Sequence, residues 1–73
     1  KSDHAVAAAV YEGLIEAEVG HDDAVTTVAK TFSLSESSIK GYVTQARKDE
    51  FGLHFRMLRN AVTPEKAKEI TQL

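Results

Sequence analysis

Apolar residues recur along this chain at helical spacing, in stretches divided by short polar or glycine-containing breaks. Residues 3–18 carry Val6, Val10, Leu14 and Ala17 on one side, widened by Ala7, Tyr11 and Ile15, with Glu12 and Glu16 on the solvent side. Ser2 can cap this first helix, Asp3 suits its positive end, and alanines favour its interior. So wide an apolar face calls for contacts on two sides, with two later helices or with a partner subunit. Gly20 reads as the left-handed stop, and His21 to Asp23 as a connection in which Asp22 or Asp23 caps the next helix. A second helix is then expected over residues 23–32, with the stripe Val25, Val28, Ala29 and Phe32. Ser33-Leu34-Ser35 is too short for anything but a turn.

Ser35 is the expected N-cap of a third helix running to about Lys48, with Glu36 or Ser38 in its first turn. Its stripe is Ile39, Tyr42, Val43 and Ala46, and Arg47 and Lys48 suit its negative end. Asp49 and Glu50 suit the start of a further element. Residues 51–55 alternate as a strand would, but the longer pattern Phe51, Phe55, Leu58 and Val62, joined by Met57 and Ala61, is helical and predicts a fourth helix over 53–61. Gly52 marks a bend before it. Thr63 followed by Pro64 is a helix-start signal for a short fifth helix over residues 64–71. The predicted fold class is all-α, a compact bundle of four to five short helices.

A chain of 73 residues holds one small domain, marginal on its own, so a compact helical bundle, a dimer or a larger parent protein is expected. With no cysteine there is no disulfide framework and no thiolate zinc site. The longest apolar run, Ala5 to Tyr11, is far short of a membrane span, and no signal peptide is read at the start. A cytoplasmic or nucleoid-associated location follows as the expectation. Net charge is −2, but residues 1–24 hold one base against six acids, whereas residues 25–73 hold eight bases against five acids. The basic excess begins with the second helix, so an acidic back and a basic front are expected.

Two short amphipathic helices joined by three residues must pack directly on one another, with Ala29 small enough to let them cross. Residues 25–44 resemble the helix-turn-helix of DNA-binding proteins, with an arrangement similar to phage-repressor-type or homeodomain-like helical domains. Matched by position, Ala29 takes the small crossing site, Val28 and Phe32 the apolar sites before the turn, Leu34 that within it, and Ile39, Tyr42 and Val43 those of the second paired helix. Where the family usually has glycine, at a position that commonly needs positive φ, this chain has Ser33. The resemblance implies a single helix-turn-helix domain over 1–73. The third helix is then expected to enter the major groove of double-stranded DNA, as a homodimer or within a larger assembly.

On that reading the face opposite the core stripe, Ser37, Lys40, Gly41, Thr44 and Lys48 with Arg47 beside Lys40, is the DNA-binding surface. Lys40 and Arg47 reach base edges or phosphates, and Thr44 reaches a phosphate or a thymine methyl. Gly41 in mid-helix costs about 1 kcal/mol against alanine and calls for a reason, either close approach to DNA or tight helix packing. Ser35, Thr26, Thr27 and Lys30 are candidate phosphate donors, and Glu36 a candidate acceptor from cytosine. Arg56 and Arg59, three residues apart on the fourth helix, either extend the basic surface or, the preferred reading, are ordinary solubility charges. The competing expectation is a helical protein-interaction or oligomerisation module, on the strength of the net acidity, the modest basic count and the broad apolar face of the first helix. His4, His21 and His54 lie 17 and 33 residues apart and share no metal-ligand spacing. No nucleophile, base and charge-stabilising group are legible as a set, so neither catalysis nor a cofactor is expected.

Overall fold

The first helix is the axis of the molecule, and every other helix packs on it. The structure, a computed structural model, describes residues 2–73. It contains α1 (Ser2–Glu16), α2 (His21–Phe32), α3 (Glu36–Arg47), α4 (Gly52–Ala61) and α5 (Pro64–Thr71), with no strand among the described residues. The roles expected of the Ser2 and Asp3 side chains lie outside the described residues. The chain is an all-α bundle of five short helices. α1 meets α2, α3, α4 and α5, while α2 also touches α3 and α5. Of the two settings open to the broad face of α1, the structure selects contact with later helices of the same chain.

Small side chains make that crowding possible. Ala5, Ala7, Ala8, Ala9, Val10, Tyr11, Gly13 and Leu14 are all buried, so α1 is covered around most of its circumference. Helix axes approach one another only as closely as the side chains between them permit, and alanine and glycine permit the closest approach. Around this axis the core closes with Val25 and Val28 from α2, Ile39 and Val43 from α3, Val62, and Ala67 from α5. α4 supplies no fully buried residue; Phe55 and Leu58 pack against the core from one side. Met57 and Ala61, expected in the same stripe, are exposed, because only one face of α4 meets α1.

Caps account for most helix boundaries. The Ser35 hydroxyl accepts from the Ser38 N–H at 3.0 Å and that of Thr63 from the Lys66 N–H at 3.1 Å, with Pro64 following as expected. The break between α1 and α2 differs from expectation. The left-handed residue is Glu18, with φ 68°, while Gly20 is extended and occupies the N-cap position of α2. The Val19 N–H closes onto the Leu14 carbonyl at 3.0 Å, so the chain turns two residues earlier than the glycine implied. His21, Asp22 and Asp23 therefore form the first turn of α2 rather than a connection, and the two aspartates lie at its positive end. Gly52 takes φ +65° at the bend into α4.

Glu12 and Glu16, expected on open solvent, instead tie α1 to its neighbours. Glu12 pairs with Arg47 of α3 at 3.6 Å, and Glu16 pairs with Arg59 of α4. The tightest approach in the fold lies at Gly13, where a Cβ would come within 2.7 Å of Ala67 Cβ and 3.4 Å of the Thr63 carbonyl oxygen. Gly13→Ala should therefore force α5 away from α1. The expected net loss is about 1–2 kcal/mol in urea denaturation, after the roughly 1 kcal/mol that alanine returns in helix propensity. Ala67→Gly in the same background should recover part of that loss; additive losses in the double variant would contradict the contact.

Candidate nucleic-acid interface

Between α2 and α3 the chain turns through Ser33, Leu34 and Ser35. Ser33 sits in the left-handed region, φ 57° and ψ 44°, and its N–H donates to the Lys30 carbonyl while the Leu34 N–H donates to that of Ala29 at 2.9 Å. These bonds satisfy the last carbonyls of α2 and reverse the chain in three residues. Ala29 is buried in the core below the turn and Leu34 packs against it, so α3 leaves the turn already seated on α2. Serine meets the positive φ that the position demands, at a strain that glycine would avoid.

α3 is held by Ile39, Val43 and Ala46, all buried, and by the half-buried Tyr42, whose ring stacks on His4 of α1 with centroids 4.1 Å apart and planes 11° apart. Everything on the opposite side is exposed: Ser37, Lys40, Gly41, Thr44 and Lys48, together with Glu36 and Arg47 along one edge. No carboxylate of the described residues pairs with Lys40 or Lys48. Arg47 is drawn toward α1 by Glu12, yet its side chain remains 64 % exposed. Glu12 is more covered than its partner, and at 3.6 Å the pair leaves the outer part of the guanidinium open to solvent.

Several donors expected for phosphate are already in use. The Ser35 hydroxyl is committed to the α3 cap and to the Ser38 hydroxyl at 2.8 Å. Thr26 donates to Glu36 Oε2 at 3.0 Å, joining α2 to the first turn of α3 and holding the carboxylate in place. Thr44 donates to the Lys40 carbonyl at 3.0 Å. Thr27 is half-buried, and Lys30 lies away from the α3 face in a shallow depression with Thr31, Ile70, Thr71 and Gln72. The structure thus brings Ser37, Lys40, Gly41, Thr44, Arg47 and Lys48 together on one helix, with Glu36 and Thr26 at its start, and leaves Lys30 apart. Arg56 pairs with Asp49 and Arg59 with Glu16, so neither extends the basic face.

Gln45 was absent from the sequence-based set, although it is exposed and lies one helical turn after Gly41. Its position on a 3.6-residue wheel was the available signal. Gly41 itself has an explanation for neither tight packing nor turning: a Cβ there meets nothing within 4 Å, whereas the Cβ at Gly13 meets Ala67. Tyr11 shares a hydrogen bond of 2.7 Å with His21 Nδ1, and His54 is exposed on α4. Among the described residues no three His, Cys, Asp or Glu side chains converge as a metal site would require, and no helix is long and apolar enough to cross a membrane. No protein-family model, curated protein or solved structure matches the chain.

Ser33→Gly should raise stability by about 0.5–1 kcal/mol, because the left-handed backbone strain it removes exceeds the added entropy of the unfolded chain. Thermal denaturation of the two proteins checks this, and an unchanged or lowered Tm would mean that the turn tolerates serine without strain.

Proposed function

We propose that this domain binds double-stranded DNA by laying α3 in the major groove, with α2 across the neighbouring backbone. The reading rests on one observation above all. α3 is anchored to the core along one side and presents, on the other, an exposed face bearing Lys40, Thr44 and Lys48 around Gly41, with no other element packed over it. The major groove is about 12 Å wide and admits a helix presented in this way. Lys40, Lys48 and Arg47 supply phosphate contacts, and Arg47 exchanges Glu12 for a phosphate on docking. Ser37 and Thr44 face the groove, and Glu36, steadied by Thr26, limits which bases are accepted at the helix start. One such helix covers few base pairs, so two copies, or one copy within a larger assembly, engage a full site. A role in transcription regulation or another DNA transaction in the cytoplasm or nucleoid follows from that chemistry, and no catalytic step or cofactor is invoked.

A second reading, a protein-interaction or oligomerisation module, is favoured by α4. Leu53 and Met57, one turn apart, are 67 % and 63 % exposed. Two side chains fall well short of the roughly 800 Å² per partner of a stable interface, so this face serves a weak contact reinforced by something else, such as a shared DNA site.

Titration of the domain against random-sequence duplex DNA across a salt series tests the first reading. With these three phosphate contacts, the logarithm of the binding constant should fall against log salt with a slope of about −3. Lys40→Ala with Arg47→Ala should weaken binding and bring that slope nearer zero by about 2. A folded domain that fails to bind even at low salt would sink the proposal. The second reading predicts instead self-association or partner binding nearly indifferent to salt and lost in Leu53→Ser with Met57→Ser, as sedimentation would record.

A further inference from the structure

Among the described residues four large apolar side chains stand open to solvent, and they fall into two pairs: Leu53 and Met57 on α4, and Ile70 and Leu73 at the end of α5. Both helices pack on α1 without packing on each other, so the pairs form two separate patches. The patches differ in shape and in charge. On α4 the two side chains stand one turn apart and project from the helix surface, with Arg56 beside Met57. Arg56 bonds Asp49 through one nitrogen, yet its side chain is 63 % exposed and its guanidinium has further N–H donors to give. The α5 patch is instead a shallow depression, lined by Leu73 with Glu65, Lys68, Glu69 and Gln72. Glu65 pairs with no base of the described residues, and Glu69 meets Lys66 only at 4.0 Å.

From these two surfaces we infer that copies of this chain associate through an α4-to-α5 contact. The projecting Leu53 and Met57 of one copy seat in the α5 depression of the next, and Arg56 reaches Glu69 across the rim. The inference rests on the interaction-module reading, whose partner it names, and needs nothing from DNA binding. Pairing of like with like is disfavoured at both patches. Two α4 helices meeting antiparallel about a two-fold axis at Met57 would bring Arg56 beside its own copy, and like charges so placed repel. Two α5 depressions set face to face would enclose a gap, with the lining side chains short of partner atoms. Only the unlike pairing puts bulk into a hollow and a base beside a carboxylate. Each copy carries both surfaces, so the same contact can repeat from one copy to the next. Four apolar side chains and one ion pair make a small interface, at the weak end of specific association.

The test is sedimentation of the chain at concentrations up to roughly 1 mM, the range a weak interface requires. The wild type should rise above monomer mass as concentration increases. Leu53→Ser with Met57→Ser, and separately Ile70→Ser with Leu73→Ser, should each weaken self-association about tenfold or more while circular dichroism stays helical. Mixed in equal amounts, these two variants should form a one-to-one complex and nothing larger, because one supplies the intact α5 depression and the other the intact α4 face. A charge exchange carries the same test without touching the apolar side chains: Arg56→Glu and Glu69→Arg should each weaken association alone and recover it when mixed. If the α5 variants associate as the wild type does, the unlike contact is overturned and self-association through α4 stands. Mixtures that form no complex overturn it equally. If the wild type stays monomeric throughout, this inference falls, while docking of a different partner on α4 and the DNA-binding reading are untouched.

Discussion

Everything in this fold depends on how near the other helices come to α1. A 15-residue helix met by four others is covered around most of its circumference, and a conventional core of leucines would hold its neighbours too far away for helices of eight to twelve residues to close the shell. Alanine at four buried positions and glycine at the α5 crossing remove that obstacle. The larger buried side chains, Tyr11, Leu14, Ile39 and Val28, then fill the spaces between helices. Because α3 is fastened to the core along one side only, its other side is left exposed.

Charge is distributed with the same logic. The acidic first third and the basic remainder are not two separate surfaces, because Glu12 and Glu16 reach across to Arg47 and Arg59. Two of the bases that would have made α3 and α4 uniformly positive are thus partly balanced by α1. Lys40 and Lys48 stand without such partners among the described residues. The modest net charge is therefore a poor guide to the local field at α3.

Much of this architecture was legible in the order of residues, because helix periodicity and caps are local signals. Ser35 and Thr63-Pro64 announce their helices through side chains that bond within three residues, and the stripe Ile39, Val43 and Ala46 needs no knowledge of what it meets. The first loop was misjudged because a glycine suggested the left-handed residue, whereas the backbone placed Glu18 there and began α2 at His21. Met57 was misjudged because periodicity finds an apolar face without revealing how much of it another helix covers. At the candidate site the exposed face itself could be read from the wheel. What Thr26, Thr44 and Arg47 bond to could not, since those partners depend on rotamers and on helices remote in sequence.

The contact between Gly13 and Ala67 joins the first helix to the last. A ribosome makes α1 first, yet the groove that receives α5 stays unfilled until the chain has grown through residue 67. Until then the most apolar segment of the domain is without its final cover, and closing that span orders nearly the whole chain at once. The turn and α3 can form early from local contacts, but their placement on a finished axis comes last. The cover of the central helix is therefore completed from the far end of the chain, by the last helix to be made.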